Sequence, residues 1–132
     1  MDCIFCEIAA GRLPCMKVYE DTHTLVFMDS AEDVDGHMIA IPKKHIGNIF
    51  DCDADSLSHL MFTVKKVSNH CVNHCNYNGI NLLHASDASA GQSVPHFHIH
   101  MIPRRINDGI DAWPKFEGAK AETAEIWKKI KL

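Results

Sequence analysis

Residues 96 to 102 read His-Phe-His-Ile-His-Met-Ile and run into Pro103-Arg104-Arg105. Strand side chains alternate between faces with a period of two, so His96, His98 and His100 share one face and Phe97, Ile99 and Met101 the other. The segment therefore specifies both sides of a sheet: one face packs on a core, and the other carries a row of imidazoles. Imidazole has the unperturbed pKa nearest neutrality and serves as nucleophile, acid, base or metal ligand. Just before the row stands Gly91-Gln92-Ser93-Val94-Pro95, a small and polar turn whose amides suit an anion beside the imidazoles. The plainer alternative is a metal-binding tract or a chance cluster among the ten histidines.

At 132 residues and 46% hydrophobic content, the chain suits a single domain, residues 1–132, with one core. A net charge of −4 without a long basic block speaks against a nucleic-acid partner. A small phosphorylated ligand still fits, because one local cluster binds it whatever the overall sign. The first six residues lack the regions of a signal peptide, and no apolar run is long enough to span a bilayer. A cytoplasmic protein with no membrane partner is expected. In such a chain the six cysteines are metal ligands or buried thiols rather than a disulfide scaffold.

Cys6 to Ala10 is expected to form a short helix closed by Gly11. Strands are expected at 16–20, 24–29, 37–42 and 80–85, and along the histidine row. Asp53 opens the clearest helix, in which Leu57, Leu60, Met61, Val64, Val67 and Cys71 form an apolar stripe running to about Cys75. A short helix is expected from about Ala121 to Lys129. The order of elements indicates an α+β domain with a five-stranded, mostly antiparallel sheet, one long helix and a short C-terminal helix.

Cys3 and Cys6 have the spacing that lets two thiolates reach one tetrahedral metal. A redox pair, here without its usual βαβ context, and simple burial are the alternatives. His70, Cys71, His74 and Cys75 are also ligand-spaced, but Cys71 continues the apolar stripe. There the cysteines read as core and the histidines as surface. Lys43 and Lys44 read as a solvated face.

The histidine row with its Gly-Gln-Ser turn, the Cys-x-x-Cys start, and Ile41-Pro42-Lys43-Lys44-His45 together resemble the histidine triad (HIT) family, most closely its small nucleotide-binding branch. The resemblance covers about residues 3–104 and leaves 105–132 as a C-terminal extension. It implies a homodimer whose sheets join into one continuous sheet. It also implies hydrolysis or transfer of a purine nucleoside 5′-monophosphate from a phosphoramidate or related leaving group. A dinucleoside polyphosphate hydrolase, or a nucleotide-binding regulatory module with weak catalysis, is the alternative.

Residue by residue, the resemblance makes His98 the nucleophile of a covalent nucleotidyl-imidazole and His100 a phosphate donor. It sets the Gly91 amide, Gln92 and Ser93 against the phosphate oxygens, with Ser93 also assisting the leaving group. Phe5, Ile8, Leu13 and Phe27 would hold the base, and Asp29 would accept from the ribose hydroxyls. Ordinary core for the apolar four, and a turn-forming role for Asp29, are the plainer readings. His37 matches a supporting histidine. In bacterial members of zinc-containing type the metal ligands match Cys3, Cys6, His45 and His96, which implies a structural Zn²⁺ and no organic cofactor. Trp113, in the extension, would cap the partner subunit's site or fill the dimer interface. One position departs: Ala85 stands where the family usually has a phosphate-binding asparagine, and alanine cannot replace it.

Overall fold

Alternation along the central strands sets the layers of the structure, a computed structural model that describes residues 3–132. In chain order the elements are α1 (Ile4–Ala9), β1 (Lys17–Glu20), β2 (Thr24–Met28), β3 (Met38–Pro42), α2 (Ala54–His74), β4 (Gly79–Leu83), a 3₁₀ turn (Ala88–Ala90), β5 (Ile99–Arg104) and α3 (Thr123–Ile130). The five strands form one antiparallel sheet in the order β1-β2-β3-β5-β4. The expected α+β architecture is the one observed. Among the described residues no helix is long and apolar enough to cross a membrane.

On one face Val26, Met38, Ala40, Phe97, Ile99 and Met101 pack against Leu60, Val64, Val67 and Cys71 of α2. Their strand neighbours Leu25, Phe27, Ile39 and Ile41 point the other way and pack on Cys3 and Phe5 of the N-terminal segment. Both faces of the sheet centre are thus covered, which is why β2 and β3 carry almost unbroken apolar runs. Asp53 caps α2, its carboxylate accepting from the Ser56 amide at 3.1 Å. Asn76, at φ +65°, ends the same helix in the left-handed conformation.

Several details differ from expectation: α1 starts at Ile4, not Cys6, because Cys3 caps it, and β4 ends at Leu83, short of the expected residue 85. Met61 is 41% exposed, and Thr63 takes its place on the buried side. The stripe centres on Leu60, Val64, Val67 and Cys71, and Thr63 is buried because its hydroxyl meets that of Thr24 at 2.7 Å. The regular ladder of β5 begins only at Ile99, since the His96 amide donates to Val94 and the Phe97 amide to Ile46. The facing is kept all the same: Phe97 lies on the α2 side, while His96 and His98 both meet Phe5 on the other. Pro103 is tolerated inside β5 because pairing with β3 ends at Met101.

Candidate active site

A cleft of about 1190 Å³ opens on the α1 side of the sheet, between α1, the ends of β2 and β3, and the histidine row. Phe5, Ile8, Leu13, Phe27, Asp29, Ser93, His98 and His100 line it, so these expected binding and catalytic residues come together. Phe5 is the floor. Its ring stands edge-on to Phe27, His98 and His96, with centroids 5.7, 5.2 and 5.9 Å away.

His98 is buried, and its Nδ1 lies 2.7 Å from the carbonyl oxygen of His96. A carbonyl only accepts, so Nδ1 carries the proton and Nε2 carries the lone pair. Burial holds the imidazole below its ordinary pKa, against the pull of the His96 carbonyl, so the ring is neutral near pH 7. The peptide of His98 is fixed from the far side of the sheet. Where the ladder to β4 stops at Leu83, the ring of His84 supplies the next rung: its Nδ1 donates to the His98 carbonyl at 2.8 Å. Ser86 Oγ sits 2.5 Å from the other ring nitrogen, and the ring stacks on Phe97.

His100 is part of a chain of side chains. Asp33 Oδ1 is 2.8 Å from Nδ1 of His37, so that nitrogen donates, and Nε2 of His37 faces Nδ1 of His100 at 2.9 Å. Asp29 Oδ2 stands 3.4 Å from the same Nε2 of His37, while Asp29 Oδ1 accepts from the Ala31 amide. Burial, then the nearby imidazoles of His98 and His37, lower the pKa of His100.

The Gly-Gln-Ser turn divides its labour differently from expectation. The Gln92 side chain is turned into its own loop, donating to the Gly47 and Val94 carbonyls at 2.7 and 3.0 Å and accepting from the Asp87 amide. The Gly91 amide is taken up by the Ala88 carbonyl. Neither residue lines the cleft, and Gln92 holds the turn's shape instead. Ser93 is left facing the opening.

Beside the cleft, Cys3, Cys6, His45 and His96 bring one ligand atom each within 4.8 Å of one another. Cys6 Sγ is 3.2 Å from Nδ1 of His45 and 3.5 Å from Nδ1 of His96, and Cys3 Sγ is 3.4 Å from the latter. In a tetrahedral zinc site the sulfur–nitrogen separation is about 3.5 Å, given the usual bond lengths. His96 donates from Nε2 to the Pro42 carbonyl at 2.8 Å, which leaves Nδ1 as a lone pair facing both sulfurs. Burial, reinforced by the neighbouring Cys3, pushes the Cys6 thiol up, so a cation bound here has to displace that thiol proton before the sulfur ligates. The second ligand-spaced group, around His70 and Cys71, stays as expected, with Cys71 buried and His70 and His74 exposed.

Sequence reasoning passed over His84 and Asp33. Only the adjacent Ala85 drew notice to the first, and nothing in an exposed acidic loop announced the second. Trp113 is 67% exposed in the extension.

Comparison with known proteins bears on the family and the fold. Residues 10–107 match the family profile described as the HIT domain. The adenosine 5′-monophosphoramidase hnt1 of Schizosaccharomyces pombe is 36% identical over 137 residues, covering 99% of this chain and 100% of that protein. The crystal structure of a HIT family member from Bacillus subtilis superposes with a TM-score of 0.83 at 35% identity, covering 98% of this chain and 92% of the other. A zinc-bound histidine triad family protein from Mycobacterium smegmatis superposes with a TM-score of 0.80 at 27% identity, covering 85% and 81%.

Proposed function

This chain belongs to the HIT family, and from that premise we propose that it hydrolyses or transfers purine nucleoside 5′-monophosphates from phosphoramidates through His98. The observation that carries the reading is the single tautomer of His98: Nδ1–H bound to the His96 carbonyl, with an unprotonated Nε2 in a cleft floored by Phe5. The Nε2 lone pair forms the bond to phosphorus as the phosphorus–nitrogen bond of the substrate breaks. The departing amine takes a proton that the Ser93 hydroxyl relays from solvent, and the water that attacks in the second step gives one back. Water then cleaves the nucleotidyl-imidazole, releasing the nucleoside monophosphate and restoring the lone pair.

The base lies against Phe5, Ile8, Leu13 and Phe27, and the ribose hydroxyls donate to Asp29. For Nε2 of His100 to donate to a phosphate oxygen, the His37–His100 pair must hold one proton more than its resting hydrogen bond requires. Asp29 and Asp33 flank the pair and balance that charge. Cys3, Cys6, His45 and His96 hold a structural zinc ion that joins the N-terminal segment to the strand bearing the nucleophile. Two copies pair through β4, an apolar edge strand whose strand partner among the described residues is β5 alone.

Turnover of adenosine and guanosine phosphoramidates, dinucleoside polyphosphates and adenylyl sulfate, each against His98→Ala, tests the reading. Phosphoramidates should be the fastest substrates, with His98→Ala at background. Faster polyphosphate cleavage favours the polyphosphate hydrolase, and nucleotide binding without turnover favours a regulatory module.

A further inference from the structure

We propose a second metal site, separate from the cysteine-containing one, in which Asp29, His37 and His100 hold a divalent transition ion. Three ligand atoms converge from three segments. His37 Nε2 and His100 Nδ1 are 2.9 Å apart, and Asp29 Oδ2 is 3.4 and 3.9 Å from them. Two imidazole nitrogens bound to one ion at ordinary bond lengths and angles lie about 3.0–3.4 Å apart, so the pair needs only a small adjustment.

Two of the ligands are also held from behind, which a simple histidine pair does not require. Asp33 accepts the Nδ1 proton of His37 at 2.8 Å, and the Ala31 amide occupies Oδ1 of Asp29 at 2.8 Å, leaving Oδ2 for the site. Ligating histidines almost always donate their other ring proton to such an acceptor, and ligating carboxylates are themselves hydrogen-bonded. The His37 and Asp29 side chains are 9% and 15% exposed, whereas His100 is 32% exposed towards the cleft. A bound ion therefore keeps open positions on the cleft side. That is the pattern of an exchangeable rather than a closed structural centre.

Two nitrogens and one carboxylate select a borderline ion such as Zn²⁺ or Co²⁺ over Mg²⁺ or Ca²⁺. Binding moves the one proton between the rings from Nδ1 of His100 to its Nε2, so both imidazoles ligate as neutral rings, and the ion's charge is met by Asp29 and Asp33. Asp29, His37 and His100 all figure in the nucleotide reading above and line the same cleft, so the test is chosen to read metal binding and not hydrolysis.

The test is a titration of the zinc-loaded full chain with Co²⁺, followed by visible absorption. Cobalt entering the cysteine site produces thiolate-to-cobalt charge transfer; cobalt held by Asp29, His37 and His100 gives ligand-field bands without it. The expected result is one equivalent of the second kind, lost in His37→Ala and bound 10–100-fold more weakly, roughly, in Asp33→Asn. Asp33 is exposed, so its variant keeps the fold should His37→Ala fail to. Absence of the thiolate-free bands in the unaltered protein overturns the proposal. So does a second equivalent that binds His37→Ala or Asp33→Asn with unchanged affinity.

Discussion

The carbonyl oxygen of His96 lies 2.7 Å from Nδ1 of His98, while the ring of His96 faces the sulfurs of Cys3 and Cys6. One residue thus joins the cluster of Cys3, Cys6, His45 and His96 to the tautomer of the proposed nucleophile. Cys6→Ser should lower metal content and melting temperature together, and should reduce kcat on the order of tenfold with little change in KM, because the disturbed group orients the nucleophile and does not touch the nucleoside. Metal analysis, thermal melts and steady-state kinetics on one preparation check this; unchanged kcat in a metal-free variant contradicts it.

His84 acts on the same proposed nucleophile, His98, through its carbonyl. Removing its hydrogen bond to the His98 carbonyl should cost roughly 0.5–1.5 kcal/mol, or about two- to tenfold in kcat for His84→Ala, with KM nearly constant. An effect on KM alone would mean that His84 serves the substrate and not the strand.

Gly36 precedes His37 at φ +84°, and a Cβ there would lie 2.6 Å from Cγ of Pro103 and 3.2 Å from the Tyr77 hydroxyl. Backbone strain and overpacking act together, so Gly36→Ala should cost about 2–4 kcal/mol in urea unfolding. A loss below about 0.5 kcal/mol would show that this turn has room to relax.

Much of this arrangement was legible in the sequence, for reasons particular to each element. Alternation around Phe97, Ile99 and Met101 forced His98 and His100 onto the face opposite α2, and the residues at intervals of three and four placed α2 itself. Lateral contacts were not legible. Gln92 bonds to the Gly47 carbonyl and Asp33 to His37, and such pairings depend on how loops cross. The start of β5 was misjudged for a related reason, since the amides of His96 and Phe97 bond outside the ladder although their side chains keep its alternation.

Asp21 gives the fold its own acid sensitivity. Burial raises its pKa, but the amides of His23 and Thr24 and the hydroxyls of Thr24 and Tyr19 outweigh it and hold the carboxyl at about 2. An unfolded aspartate titrates near pH ~3.9, so the unfolded chain binds the proton first as pH falls. Stability from Asp21 is complete above that value and is lost as pH drops from about 4 towards 2. Asp21→Asn should therefore be less stable than the parent at pH 6, with the gap narrowing at pH 3. Parallel urea midpoints that keep a constant gap would contradict the assignment.

The central claim is that Nε2 of His98 forms a covalent bond to the nucleotide's phosphorus. Intact-mass analysis of acid-free quenched reactions with a slow adenosine phosphoramidate tests it most directly. The account predicts a transient adduct of one adenylyl group, mapped to the peptide carrying His98 and absent from His98→Ala. Turnover with no adduct under conditions that trap nucleotidyl-histidine, or an adduct that persists in His98→Ala, would contradict it.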